Sequence, residues 1–94
     1  MLAVTTAALE RLSRKLAGKG AADGMALRFK RRERGWMLRL DYESVGDTAF
    51  THNGRKVLLL DETVSKGMAN MTLDTRKSGE RSRLRLYRSK NHGD

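Results

Sequence analysis

The chain has 94 residues, the length of one domain, and a chain of this size buries only about 60–70% of the surface that its unfolded form would expose. It carries 20 Lys and Arg against 11 Asp and Glu, a formal net charge of +9, and it has no cysteine. That composition excludes disulfides and thiolate chemistry, and it favours anionic partners: acidic protein surfaces, nucleic acid or anionic lipid.

The cationic excess is spread along the chain, with ten Lys/Arg against six Asp/Glu in residues 1–47 and ten against five in residues 48–94. It is therefore not a basic tail on a neutral domain. No apolar run approaches the ~20 residues that cross a bilayer. Met1–Leu9 has no basic stretch followed by an apolar one, so no secretory signal is visible, and the expected location is the cytoplasm, with no membrane partner.

In chain order, residues 4–19 predict an amphipathic helix. Thr5 is placed to cap it, Val4 and Leu9 to staple its start, and Ala8, Leu9, Leu12 and Leu16 to form its apolar face, with Arg11, Arg14 and Lys15 mostly off that face. Residues 18–24 are a glycine-rich connector. Leu27 and Phe29 alternate with Arg28 and Lys30, the period of a strand with one face inward. Residues 30–35 read as a charged turn. Trp36, Leu38, Leu40 and Tyr42 then alternate with Met37, Arg39, Asp41 and Glu43, the clearest strand in the sequence. A loop at 44–47 leads to a short strand at 48–51. Asn53-Gly54 between two β-like runs is a hairpin signal, and the unbroken apolar run Val57–Leu60 fits a strand covered on both faces. Asp61 can cap a short helix to about Asn70, with Val64 and Met68 inward. Met71 and Leu73 mark a further strand, residues 75–82 a polar loop, and residues 83–88 a last strand with Leu84 and Leu86 inward and Arg83, Arg85 and Tyr87 outward. The sum is a β-rich α+β domain: one helix, about six short strands in a compact sandwich or half-barrel, and a short helix inserted late.

This order, with specific residues, resembles the HesB/IscA-type (A-type) iron–sulfur cluster biogenesis family. The family's opening "T-x-x-A-x-x-x-[IVL]" is matched by Thr5-Thr6-Ala7-Ala8-Leu9-Glu10-Arg11-Leu12, and its "LRL" strand by Leu27-Arg28-Phe29. Its middle "D-x-x-F-x-x-x-G-x-x-[VI]-x-[VI]-D" resembles Asp47 to Asp61, with Phe50, Gly54 and Val57 in register. Leu73-Asp74-Thr75 stands where the family has "L-D-[YF]", and Arg83-Leu84-Arg85-Leu86 where it has "G-F-x-[FI]". The resemblance covers nearly the whole chain and implies a single HesB-like domain over residues 1–94, with 1–3 and 89–94 frayed. It also implies where cluster ligands would stand: one cysteine in the loop after the "LRL" strand and a C-x-C pair near the C-terminus. The first region here is Lys30–Trp36, with Arg31, Arg32, Glu33, Arg34 and Gly35. No ligand carries over, and the expected member of the family is a degenerate one without cofactor.

Elsewhere the chemistry is sparse. His52 in a turn and His92 in the tail do not make a metal site. Asp41 with Glu43, and Asp61 with Glu62, read as solvated or capping carboxylates rather than acid–base pairs. No nucleophile motif or phosphate loop is present, so no enzyme is expected. The remaining signal is basic. Arg28, Lys30, Arg31, Arg32 and Arg34 form one cluster, and Arg76, Lys77, Arg81, Arg83, Arg85, Arg88 and Lys90 a second. Arginine forks fit carboxylate and phosphate oxygens, and Tyr87 is the one aromatic placed to join them. The expected partner-binding residues are Arg28, Lys30, Arg31, Arg32, Arg34, Arg83, Arg85, Tyr87 and Arg88, against the alternative of a merely solvated basic surface. Two functions follow: a non-catalytic docking or accessory module for an acidic protein partner, linked to iron–sulfur cluster assembly and acting as a monomer or weak homo-oligomer, or a small nucleic-acid-binding protein. The family includes cysteine-free versions that serve as client-recognition parts of larger carriers, which favours the first.

Overall fold

The computed structural model of the protein describes residues 1–89. Its elements are β1 (Ala3–Val4), α1 (Thr6–Gly18), β2 (Met25–Arg32), β3 (Gly35–Tyr42), β4 (Thr48–His52), β5 (Arg55–Leu60), α2 (Glu62–Gly67), β6 (Met71–Ser78) and β7 (Arg81–Arg88). They form a three-stranded sheet in the order β1-β6-β7 and a four-stranded sheet in the order β3-β2-β5-β4. The expected β-rich α+β architecture is present.

Helix α1 starts where the sequence places it. The Thr5 side chain accepts a hydrogen bond from the Ala8 amide, satisfying one of the four amides that a helix start leaves without an intrahelical partner. Ala8, Leu12 and Leu16, four residues apart, are fully buried, and the helix packs against strands of both sheets. The core it closes contains Leu27, Phe29, Leu58, Leu60, Met68 and Leu73. Burying each such side chain contributes about 1.5–3 kcal/mol.

Local turn chemistry sets the strand pairing. Asn53 (φ 52°) and Gly54 (φ 79°) provide the two positive φ angles of the hairpin turn that joins β4 to β5. One residue later in the ladder the register slips: Phe50 faces Leu58 while Thr51 faces Lys56. Val57 is the extra residue of this bulge. All four residues of Val57–Leu60 are buried, as their unbroken apolar run requires.

Three expectations are corrected. Residues 1–3 do not fray: Leu2 is 2% exposed, and β1 pairs in parallel with β6, Ala3 against Thr72 and Val4 against Leu73. Residues 75–82 are not a loop, because β6 runs to Ser78 and β7 starts at Arg81; cross-strand pairing overrides their polar composition. The charged segment 30–35 is likewise mostly strand, with Arg32 paired to Gly35. The expected fraying of 89–94 falls largely outside the described residues, although the Ser89 amide donates to the Asn70 carbonyl at 2.8 Å.

Arg28 stands between two core residues of β2 and is itself only 7% exposed. Strand alternation turns it to the sheet face opposite Leu27 and Phe29. There Nη1 and Nη2 donate to the two carboxylate oxygens of Asp47 at 3.0 and 2.6 Å, Nε donates to Asp41 at 2.7 Å, and Nη2 also donates to the Tyr42 carbonyl at 3.2 Å. Asp47 belongs to the loop joining β3 to β4, and its side chain is 2% exposed against 47% for Asp41. The Ser44 amide donates to Asp47 as well, so the loop is folded around the same carboxylate.

These contacts, Arg28 foremost, hold the carboxyls of Asp47 and Asp41 below the usual carboxylate range, helped by the amides of Ser44 and Tyr42. The Arg28 guanidinium, its own pKa raised further by Asp47, stays charged throughout. The stabilisation from a depressed carboxyl is complete above its unfolded value of about 4 and is lost as pH falls through the folded value. Denaturant midpoints in a buffer series should therefore decline on acidification below about pH 5, and Asp47→Asn should flatten that decline. At neutral pH, Asp47→Ala leaves a buried guanidinium with an unpaired fork and should cost about 3–5 kcal/mol in chemical denaturation. The double replacement Arg28→Met with Asp47→Leu should cost markedly less; equal losses would mean that the pair is not the source of the effect.

Candidate docking site

The first basic cluster is not one surface. Arg28 is 7% exposed and spends four of its five N–H donors on Asp47, Asp41 and the Tyr42 carbonyl, so the expectation that it binds a partner is corrected: its fork is turned inward on those acceptors. Lys30 and Arg32 share its sheet face by strand alternation, whereas Arg31 lies on the opposite face, opposite Trp36 in register, and reaches the Met68 sulfur at 3.9 Å. Arg34 is exposed in the two-residue turn between β2 and β3.

The second cluster divides in the same way. Arg83, Arg85 and Tyr87 occupy one face of β7, and Arg88 the other. Arg85 lies over the Tyr87 ring, 5.7 Å from its centroid, a cation–π contact that covers one ring face. On the neighbouring strand Arg76 stands directly opposite Arg83, a like-charge pair that destabilises a bare sheet. Asp74, opposite Arg85, is committed elsewhere. It accepts from the Thr5 hydroxyl at 2.7 Å and from the Thr75 amide at 2.8 Å. Those two donors, Thr5 first, hold its carboxyl below the ordinary range.

The strongest concentration of charge joins β7 to a helix that the sequence reading left aside. Two adjoining depressions share Arg11 and Arg83. One, of about 450 Å³, is lined by Arg11, Arg14, Glu80, Arg81, Ser82 and Arg83. The other, of about 330 Å³, runs on between Lys15 of α1, Lys19 at the cap of its C-terminus, Arg83 and Leu84 of β7, and Trp36 and Leu38 of β3. Arg11, Lys15 and Lys19 recur every four residues and so lie in a line beside the buried stripe Ala8–Leu12–Leu16. Among the described residues, no carboxylate forms an ion pair with any of the cations lining this groove. The i, i+4, i+8 spacing was visible in the sequence; its convergence on β7 and on Trp36 is tertiary.

Tyr42, at the end of β3, is 54% exposed, but it is not among the residues lining the cation groove. Trp36 stacks on Phe29 with centroids 5.1 Å apart and planes 17° apart, so one indole face is used internally. No group of three or more His, Cys, Asp or Glu side chains able to hold a metal exists among the described residues. His52 ends β4, and His92 lies outside the described residues. No helix among them is long and apolar enough to cross a membrane.

No protein-family model matches the sequence, and no curated protein matches it significantly. Solved structures do match. The crystal structure of Escherichia coli SufA, a protein involved in biosynthesis of iron–sulfur clusters, superposes with a TM-score of 0.70 at 21% identity, over 93% of this chain and 84% of that one. IscA, in a structure with a [2Fe-2S] cluster, superposes with a TM-score of 0.59 at 17% identity, over 94% of this chain and 85% of that one. Iron–sulfur clusters are held by thiolates, in some centres with histidine, and a chain without cysteine has no donor set that fits one. The chain has a HesB/IscA-like fold, and it has that fold without a single thiol.

Proposed function

We propose that the protein is a non-catalytic docking or accessory module that uses the HesB/IscA-like body as a binding surface, in the context of iron–sulfur cluster assembly. The observation that carries this reading is the retention of nearly the whole fold of two cluster-biogenesis proteins by a chain with no cysteine. A fold can lose its ligands and keep its surface, because function is grafted on the scaffold rather than inherent in it. The groove between α1 and β7, with cations along both sides and apolar residues between, suits an acidic protein better than a nucleic acid. Single-stranded nucleic acids are gripped by exposed stacking platforms as well as by charge, and Trp36 and Tyr87 each have a ring face engaged within the fold.

The test is direct binding to a thiol-bearing apo-acceptor of iron–sulfur clusters, and to single- and double-stranded DNA, at about 50 and about 200 mM salt. An interaction driven by six to ten phosphate contacts loses about 10³–10⁵ in affinity over that range. The expected outcome is saturable acceptor binding that weakens by no more than about tenfold, since shape and apolar contacts persist when charge is screened. DNA binding with the steep phosphate slope, and no acceptor binding, would contradict the proposal.

A further inference from the structure

Among the described residues β7 is the outer strand of its sheet, and the groove reaches its unpaired edge at Arg81–Leu84. Arg83 and Leu84 point to opposite faces of the strand, yet both line the same depression, which is possible only where that depression wraps the edge. At one end the Arg11 Nε donates to the Ser82 carbonyl at 3.1 Å, so that carbonyl faces away from β6. In an antiparallel pair the N–H and C=O of one residue point the same way and alternate along the strand. Leu84 and Leu86 therefore also present their amides and carbonyls outward, while Arg81, Arg83 and Arg85 direct theirs to β6. An open edge of this kind is a template for another strand.

The charges beside the edge have a matching repeat. Four residues of helix rise about 6 Å, so Arg11, Lys15 and Lys19 form a line of cations spaced by about 6 Å. Alternate side chains of an extended chain are spaced by about 6.6–6.8 Å. An extended segment entering the groove, with alternate side chains on opposite faces, can set carboxylates against Arg11, Lys15 and Lys19 and apolar side chains against Trp36, Leu38 and Leu84. A helical occupant would leave the Leu84 and Leu86 backbone groups without partners. A second copy of this chain would bring Arg81, Arg83 and Arg85 against their own kind, in a molecule of net charge +9.

We propose that the open edge of β7 is the docking seat for an extended segment of an acidic partner protein, in which carboxylates alternate with apolar residues and whose backbone adds a strand to the β1-β6-β7 sheet. This rests on the docking reading above and gives it a site and a ligand pattern.

The experiment uses the full chain and a short fluorescent peptide alternating Glu and Leu, compared with a peptide of the same composition in which the Glu and Leu form separate blocks, with the alternating peptide N-methylated on the backbone amides that would pair with β7, and with an oligothymidylate. The alternating peptide should bind and shift the amide resonances of Leu84 and Leu86. Blocking or N-methylation should weaken it about tenfold or more, through lost register and lost backbone hydrogen bonds. The variant Lys19→Glu with Arg83→Glu, at two exposed positions of the groove, which spares Arg11, should abolish peptide binding while the thermal unfolding midpoint stays near that of the parent. Equal affinity for the blocked peptide, tighter binding of oligothymidylate, or undiminished binding by the variant would overturn the proposal. An apo-acceptor that binds parent and variant alike would keep the docking reading and discard this site. An acceptor that binds neither would discard the docking reading, and the peptide result would then judge the edge by itself.

Discussion

The buried fork of Arg28 organises one whole face of the larger sheet. The guanidinium lies on β2, its partners come from β3 and from the loop leading to β4, and four of its five N–H donors are used on a carboxylate or a carbonyl. Desolvating such a charge is expensive, and the attraction offsets that cost only when the geometry is bidentate and the remaining donors are met. The Asp47 contact is bidentate, and Nε and the second Nη2 donor are met by Asp41 and the Tyr42 carbonyl. The consequence is positional: with Asp47 fixed, the loop folds back on Ser44, β4 starts in register with Leu60, and the Phe50 side of that strand meets the core. A lysine at position 28 would supply charge without the fork.

The segments that carry the family likeness turn out to meet one another. Arg28 of the "LRL" strand is held by Asp47, the first residue of the "D-x-x-F" segment. Thr5, which opens the helix motif, donates to Asp74 of the "L-D" segment, and its amide donates to the Leu73 carbonyl. These residues tie distant parts of the chain together, and none of them needs a metal. The fold is therefore tied together by contacts that need no thiol. The two solved structures of like fold share only 21% and 17% identity with it.

What could be read from the sequence was local. The Thr5 cap, the Asn53-Gly54 turn and the Val57–Leu60 run each depend on neighbours within a few residues, and each stands as expected; the alternation from Trp36 to Tyr42 does mark a strand, but Tyr42 at its end is 54% exposed rather than inward. What escaped was non-local. A two-residue strand at Ala3–Val4 has no periodicity to detect and exists only because β6 accepts it. The polar stretch 75–82 is strand because β6 and β7 pair across it. Arg28 looks, in sequence, like the other cations of its cluster; its burial depends on Asp41 and Asp47, which lie 13 and 19 residues away. The cation line of α1 was present in the spacing, but only the packing of that helix on β7 gives it something to face.

Chemically, the molecule has a HesB/IscA-like fold without a thiol, and no group of three or more His, Cys, Asp or Glu side chains able to hold a metal exists among its described residues. Anaerobic incubation with ferrous iron and sulfide, followed by desalting and iron determination, tests that most directly. The account predicts no iron retained in stoichiometric proportion to protein and no visible cluster absorbance. A stable, stoichiometric cluster on this cysteine-free chain would contradict it.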